Sequence, residues 1–266
     1  MVEKSDTVLV GDEGGVRTIT LNRPDVLNAF NEEMLLALGK VVRGTAKDDS
    51  VRCVVLTGAG RAFCSGQDLS EVEKRYKSGE PIELGNRLRE HYNPIVKSVR
   101  EMEKVVIAAV NGVAAGAGCS FALVCDMRVA AESASFVDSF VNVGLVPDCG
   151  GTFTLPRLVG VSRALEMAIT GRKVKADEAL GIGLVNRVVA DGDLASTVSE
   201  LARRLAALPP RAVGLTKRAI NASWSSDLEA QLEYEAMLQT TAGQTHDHRE
   251  GVMAFLEKRS PRFTGA

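Results

Sequence analysis

Short runs of apolar residues alternate with longer amphipathic segments along the first half of the chain. Three of the apolar runs, Val16–Leu21, residues 53–57 and Val105–Val110, predict buried strands. Residues 31–46 and 81–102 carry apolar positions at helical spacing and predict helices between these strands. Strands that alternate with helices in this way indicate an α/β fold.

From about Ser162 onward the apolar spacing becomes helical. Ser162 is a candidate N-cap for the first of these helices, and Pro209 and Pro210 separate two later ones. The later helices are predicted over residues 176–180, 194–208, 212–222 and 228–256. No low-complexity linker divides the chain, so we predict one domain over residues 1–266. Its core covers about residues 1–195, and a helical C-terminal region covers about residues 196–266.

The composition narrows the class of protein. The net charge of -2 gives no general attraction to nucleic acid or to an anionic membrane. The chain has no apolar run of about 20 residues, and it starts without the basic and apolar segments of a signal peptide, so we expect a cytoplasmic protein. The five cysteines lack paired spacing and the three histidines lack evident partners, which predicts reduced thiols and no metal site.

Two of the predicted strands lead into turns that are rich in Gly and Ala, at residues 58–66 and 111–118. One backbone N–H from each turn, aimed at the same oxygen, would stabilise negative charge that develops on a carbonyl. A helix predicted over residues 116–124 adds its N-terminal partial charge. The alternative is that the small residues only permit close packing of backbone. Neither turn has the spacing of a phosphate-binding loop or a dinucleotide fingerprint.

Asp148 lies in a tight turn that leads into a helix near Gly151. Among Leu145, Val146, Cys149 and Phe153 its carboxyl is expected to be buried, and burial raises a carboxyl pKa toward neutrality. Such a group is suited to proton transfer. The alternative is that Asp148 caps the helix.

Several motifs in the same order resemble the crotonase, or enoyl-CoA hydratase/isomerase, superfamily. They are residues 21–29 (LNRPDVLNA), 61–69 (RAFCSGQDL), 110–119 (VNGVAAGAGC), 144–160, 176–185 and the closing FLEKR at 255–259. Residues 144–152 and 155–160 look most like those of the isomerases that act on ring epoxides of phenylacetyl-CoA or on Δ3-enoyl-CoA. The resemblance covers nearly the whole chain.

The resemblance implies a spiral of ββα repeats with a C-terminal trimerisation or lid region, in a homotrimer or a dimer of trimers. It also implies an acyl-CoA substrate, with coenzyme A as part of that substrate and no tightly bound cofactor. The thioester oxygen would lie between the backbone N–H groups of Gln67 and Ala117, and Asp148 would be the catalytic acid and base.

The resemblance further implies where coenzyme A would bind. The corresponding positions are Val26, Leu27, Ala29, Ser65, Gly66, Asp68 and Leu69, with Lys258 and Arg259 as candidates for phosphate contacts. The alternative for these two basic residues is a solvated helix end. Phe136 and Phe140 are candidates for an apolar acyl pocket, with ordinary core packing as the alternative.

The chain departs from the hydratase pattern at two positions. Where the hydratases of this superfamily have two glutamates, this sequence has Ser120 and Phe140. We therefore expect an isomerase, because a 1,3 proton shift needs one carboxylate and adds no water. One alternative is a hydratase or other lyase that uses Asp148, Asp138 or a fixed water. Another is a binding protein for acyl-CoA or RNA that has no catalytic activity.

Overall fold

The computed structural model describes residues 6–79 and 83–266. The strands in these residues are β1 (Val8–Glu13), β2 (Val16–Leu21), β3 (Cys53–Gly58), β4 (Ala62–Cys64), β5 (Val105–Val110), β6 (Val113–Ala115), β7 (Met127–Ala131), β8 (Ser135–Val137), β9 (Lys173–Lys175) and β10 (Arg187–Val189). The first sheet has the order β1-β2-β3-β5-β7-β10, and the second has the order β4-β6-β8-β9. Pairing is parallel except for β1 with β2 and β8 with β9.

Helices cover much of the rest of the described chain. They are α1 (Glu32–Ala46), α2 (Leu69–Ser78), α3 (Leu84–Arg87), α4 (Asn93–Glu101), α5 (Ala117–Val124), α6 (Gly151–Val159), α7 (Val161–Thr170), α8 (Ala176–Gly181), α9 (Leu194–Ala206), α10 (Pro210–Ala222), α11 (Leu228–Gly243) and α12 (His246–Leu256). A π-helical turn at Leu88–Tyr92 joins α3 to α4. The predicted α/β class with a helical C-terminal region is confirmed. Residues 81 and 82 of the helix predicted over 81–102 lie outside the described residues.

Two predictions about the helical half need correction or refinement. Ser162 is not an N-cap, because α7 begins one residue earlier and its N-cap is Gly160. Gly160 has φ 82° and ψ 157°, a conformation that glycine adopts readily, so the backbone itself separates α6 from α7. The predicted helical region over 228–256 is two helices. Thr245 caps the second of them by accepting a hydrogen bond from the His248 N–H at 3.1 Å.

The short sheet determines where the two Gly and Ala turns meet. In the parallel register Cys64 lies opposite Ala114, and Ala115 lies opposite Val137. The carboxyl ends of β4, β6 and β8 are therefore side by side. The segments that follow these strands, at residues 65–68, 116–118 and 138–139, emerge at one edge of the sheet.

Asn28 fixes a further loop against this edge. Its side chain is fully buried, and its amide donates hydrogen bonds to the carbonyl oxygens of Ala59 (2.9 Å) and Ala62 (2.8 Å). Its Oδ1 accepts a hydrogen bond from the Arg23 N–H. Asn28 has φ 58°, a left-handed conformation that asparagine tolerates better than most residues. The loop over residues 23–30 is thereby held beside the turn after β4.

A largely buried ion pair attaches α10 to the core. The Lys217 ammonium donates to Asp126 Oδ2 at 2.7 Å and to the carbonyl oxygens of Val99 and Lys104. The same Asp126 oxygen accepts a hydrogen bond from the Val106 N–H. Burial lowers the pKa of Lys217, and the interaction with Asp126 opposes that shift.

Replacing Lys217 with methionine is expected to lower the free energy of unfolding by about 3 kcal/mol, because Asp126 is left as an unpaired buried charge. Urea unfolding measures this change. The double variant Lys217→Met/Asp126→Asn should recover part of the loss, since both charges are then gone. Lys97→Met, at an exposed position of α4, is the control and should have little effect. Equal losses in the variants at 217 and 97 would contradict a stabilising role for the ion pair.

Candidate active site

The turns after β4 and β6 pack backbone against backbone. Gly66 has φ 97°, and a Cβ at this position would lie 2.9 Å from the Ala115 carbonyl oxygen and 3.4 Å from the Ala117 nitrogen. A Cβ on Gly118 would lie only 2.3 Å from the Cys64 carbonyl oxygen. Glycine is therefore required at both positions, because a side chain would overlap with the neighbouring backbone. The small residues thus permit close packing of backbone, as the alternative interpretation of these turns holds, and this packing brings the two turns into contact.

This contact leaves one N–H group of each turn unused. Ala117 is the first residue of α5, so its N–H has no partner within the helix. The backbone of Phe30 bonds to both neighbours of Gln67. Its N–H donates to the Gly66 carbonyl, and its carbonyl accepts from the Asp68 N–H, so the Gln67 N–H takes no part in this pairing. In the described chain neither N–H group has an acceptor. An oxyanion site requires two such free donors from neighbouring turns.

Asp148 is a half-buried residue in the loop that precedes α6. Its Oδ1 is inaccessible to solvent and has no hydrogen-bond partner among the described residues. Burial raises its pKa, and a hydrogen bond from the Cys149 thiol partly opposes that rise. Asp148 is not the cap of α6. The N-cap is Gly150, without a side-chain hydrogen bond, and Asp148 contributes only its backbone carbonyl, to the Gly151 N–H at 2.8 Å.

The surroundings that bury Asp148 differ from those predicted. Leu145, Val146 and Phe153 are 38%, 77% and 46% exposed in the isolated chain, and only Cys149 of the predicted neighbours is buried. A local run of apolar residues does not say which of them turn toward the core. Asp148 contributes to the raised pKa values of two groups that lie on other elements, Tyr92 and Asp138.

Tyr92 is a buried polar residue, acting electrostatically with Asp148, that the sequence did not single out. It ends the π-helical turn, is 2% exposed and packs edge-on against the rings of Phe30 and Phe121. Its hydroxyl has no partner among the described residues. Burial raises its pKa, so the hydroxyl stays protonated and can donate a hydrogen bond. A π-helical turn within a helix is often found at functional sites, but no sequence signal marked this one.

A cavity of about 500 Å³ opens beside Gln67. Its apolar wall comes from α2, from the start of α3 and from the loop before Asp148: Leu69, Val72, Tyr76, Leu84, Val143 and Leu145. The Gln67 Nε2 is buried and has no acceptor in the described chain. Phe136 and Phe140 do not form this wall. They are 0% and 7% exposed and belong to the hydrophobic core, as the alternative of ordinary core packing expects, and their role in an acyl pocket stays a prediction.

The structure brings together most of the residues predicted for coenzyme A. The Ser65 N–H donates to the Leu27 carbonyl at 2.9 Å, and its hydroxyl lies 3.3 Å from the Val26 carbonyl. Arg23 connects the carbonyl of Ala29 to the carboxylate of Asp68. Gly66 lies between Ser65 and Asp68 in the same turn, and Leu69 follows as an exposed residue at the start of α2.

Lys258 and Arg259 lie elsewhere in the chain, after α12. Arg259 is bound to Glu250 and Glu257, each at 2.6 Å. The contacts within the described residues do not bring either basic side chain to Ser65. Their role as phosphate ligands stays a prediction.

Other kinds of site find little support in the described chain. All five cysteines are buried and unpaired, and burial raises the pKa values of Cys64 and Cys119 to about 12, so these are neutral thiols at neutral pH. In residues 6–79 and 83–266 no group of three His, Cys, Asp or Glu side chains is placed to hold a metal ion. None of the helices described there is both long and apolar enough to cross a bilayer.

The parallel α/β framework and the comparisons with known proteins together identify the chain as a member of the crotonase superfamily. The chain belongs to the enoyl-CoA hydratase/isomerase family of that superfamily, whose family model matches residues 11–266. The family acts on coenzyme A thioesters.

Relatives of both activities are similar over nearly their full lengths. The 1,2-epoxyphenylacetyl-CoA isomerase of Escherichia coli (strain K12) is 48% identical over 95% of this chain and 96% of its own. The short-chain-enoyl-CoA hydratase of Clostridium acetobutylicum is 39% identical over 96% of each chain. The solved enoyl-CoA hydratase of Bacillus anthracis is 36% identical, with a TM-score of 0.92 over 98% of this chain and all of its own.

Proposed function

We propose that this protein is an acyl-CoA isomerase that shifts a double bond of an enoyl-CoA, or rearranges a ring epoxide carried by the acyl group. The observation that carries the proposal is the Asp148 carboxyl, whose Oδ1 is inaccessible to solvent and without a partner in the described chain. We place it in one site with the free N–H groups of Gln67 and Ala117. The similarity to an isomerase at 48% identity supports it.

In the proposed reaction the Asp148 carboxylate removes a proton from the carbon alpha to the thioester. The negative charge moves to the thioester oxygen, where the N–H groups of Gln67 and Ala117 stabilise the enolate. The protonated Asp148 then returns the proton to the gamma carbon, so the double bond moves by one position and the carboxylate is restored. A carboxyl with a raised pKa is suited to both steps, because it is a stronger base than an exposed one.

The positions of the hydratase glutamates support isomerisation over hydration. Ser120 is buried at the start of α5, and its Oγ would lie 2.7 Å from a Cβ on Gly151. Phe140 is a core residue with no acid–base group. Neither position therefore has a second carboxylate that could act as acid or base through a water molecule.

The cavity beside Gln67 has the size and lining of an acyl-binding site. In the proposed complex the acyl group occupies this cavity, the thioester lies between the two turns, and coenzyme A follows the loop over residues 23–30 toward Ser65. No further cofactor takes part in the proposed steps.

We also propose a homotrimer or a dimer of trimers, built through the helices after residue 195. The C-terminal helices expose large apolar side chains, among them Leu228 (75%), Leu232 (56%) and Phe255 (83%). Contact between subunits would bury such surface. Light scattering in solution measures the mass, and a monomer at micromolar concentration would contradict this part of the proposal.

The test of the function compares two substrates. With a 3-enoyl-CoA we expect the absorbance of the conjugated 2-enoyl thioester to rise, and with crotonyl-CoA we expect little loss of that absorbance through hydration. The isomerisation rate should exceed the hydration rate by about 100-fold or more, since the carboxylates of the hydratases are absent. Faster hydration than isomerisation would identify a hydratase. Binding without conversion of either substrate would identify a non-catalytic protein.

A further inference from the structure

A second cavity, of about 520 Å³, lies between α10 and the core. Its size is within the range of small-molecule sites. Much of its wall is apolar and comes from several elements: Val105, Leu123, Met127, Leu158, Val213 and Ile220. It shares no lining residue with the cavity beside Gln67, so the two cavities are separate sites.

Charged side chains line this cavity unevenly. Arg100, Arg128 and Lys217 are cations, and Asp126 is the one carboxylate among the described lining residues. Lys217 already pairs with Asp126, at 2.7 Å. Neither arginine forms an ion pair with a carboxylate in the described chain. Three cations against one carboxylate leave an excess of positive charge around an apolar space.

Neutral groups hold the two arginines in place. Arg128 is buried, and its Nε and Nη1 donate to the carbonyl oxygens of Leu184 and Cys125, each at 2.7 Å. Its Nη2 has no acceptor among the described residues. Arg100 donates to the side-chain amide oxygen of Asn221. These partners fix the guanidinium groups, but they do not cancel the charge.

Trp224, which also lines the cavity, lies beside two guanidinium groups. The centre of its ring is 4.6 Å from the Cζ of Arg100 and 5.1 Å from the Cζ of Arg157. Arg157 donates to the Phe153 carbonyl at 2.8 Å and has no carboxylate partner in the part of the chain that the structure describes. A guanidinium that rests on an aromatic ring keeps N–H donors for an anion.

We propose that this cavity binds a carboxylate with an apolar body, such as a medium-chain fatty acid. The carboxylate would pair with Arg100 beside Trp224. The hydrocarbon chain would cover the wall formed by Leu123, Met127 and Ile220. Uncompensated positive charge favours an anion, and the apolar wall favours one that brings apolar surface of its own.

Trp224 provides the measurement, because it is the one tryptophan of the chain. Titration with decanoate is expected to give a saturable change in tryptophan fluorescence, with a Kd below about 1 mM. Decanol has a similar apolar body without the charge and should bind at least about tenfold more weakly. Equal affinities for decanoate and decanol would overturn the proposal.

A pair of substitutions at Ile220 tests the location of the bound carboxylate. Ile220 lines the cavity and is exposed, so a polar side chain is tolerated there. Ile220→Lys and Ile220→Glu remove the same apolar contact but add opposite charges. Decanoate should bind the Lys variant at least about tenfold more tightly than the Glu variant. Equal affinities would show that decanoate binds elsewhere, for example beside Gln67, and would overturn the proposal.

Arg100→Met is expected to raise the Kd for decanoate by about tenfold. The matched control is Arg218→Met, since Arg218 is exposed, pairs with Glu103 at 3.2 Å and does not line the cavity. Its Kd should equal that of the wild type. Thermal unfolding of both variants shows whether α10 stays in place. If Arg100→Met unfolds early, the pair at Ile220 decides.

The inference goes beyond the proposed function, and binding is measured without turnover, so it stands or fails independently of the isomerase activity. Absence of a fluorescence change in the wild type would overturn it. That result includes the case in which a second copy of the chain closes the cavity, which light scattering on the same sample would identify.

Discussion

Asp148→Asn is expected to lower the kcat of double-bond migration by about 10⁴-fold, at the upper end of what one acid–base group contributes. The reason is that a single carboxyl both removes and returns the proton, and the amide can do neither. The measurement is the rise of conjugated thioester absorbance from a 3-enoyl-CoA. In the wild type the rate should also fall as the pH drops through the raised pKa of Asp148, since only the carboxylate is a base.

Stability provides the control for this variant. Because the folded protein raises the pKa of Asp148, the ionised carboxyl opposes folding above its unfolded-state pKa, and that cost disappears below it. At neutral pH asparagine removes the cost, so Asp148→Asn should unfold at the same temperature as the wild type or at a higher one. Binding of acyl-CoA should persist. A variant that stays within about tenfold of wild-type kcat would show that another group moves the proton.

Gly66→Ala is expected to lower kcat by about 10²- to 10³-fold, which is the effect of losing one oxyanion donor. The new Cβ would lie 2.9 Å from the Ala115 carbonyl oxygen at a residue with φ 97°, so the backbone that carries the Gln67 N–H must move. Because the donor acts chiefly on the developing charge, kcat should fall much more than KM rises. Steady-state kinetics on a 3-enoyl-CoA separates the two.

Gly15→Ala is the matched control for this backbone change. Gly15 also has a positive φ, of 79°, but a Cβ there would meet only ordinary contacts, the nearest at 3.7 Å from the Ser50 carbonyl oxygen. It should therefore cost stability through the left-handed conformation without lowering kcat. Equal effects of the two substitutions on kcat would contradict the role given to the turn at Gly66.

The buried strands were the most predictable part of the fold. The bounds of β2 and β5 agree with the predicted strands Val16–Leu21 and Val105–Val110. In β5 the reason is that a strand buried on both faces is continuously apolar and is recognisable without its neighbours. The start of α7 was less predictable. Ser162 has the chemistry of a cap, but the N-cap is Gly160, two residues earlier.

The candidate site shows the same division between local and distant information. Gln67, Ala117 and Asp148 stand out in the sequence because glycine turns and an acid before a helix are local patterns. The roles predicted for Phe136 and Phe140 required knowing which face of the fold lies beside the cavity. The structure places both in the core and builds the cavity wall from α2, the start of α3 and the loop before Asp148.

The sequence by itself determined the family, the alternation of strands and helices, and the chemical groups available for proton transfer. Only the tertiary structure decided that the turns at Gly66 and Ala117 touch, that Tyr92 is buried against the rings of Phe30 and Phe121, and that the Oδ1 of Asp148 is closed off from solvent. The physical reason is that the burial and electrostatic environment of a side chain depend on elements distant in the chain. A local pattern specifies which groups are present, whereas packing sets the distances between them and the water that remains.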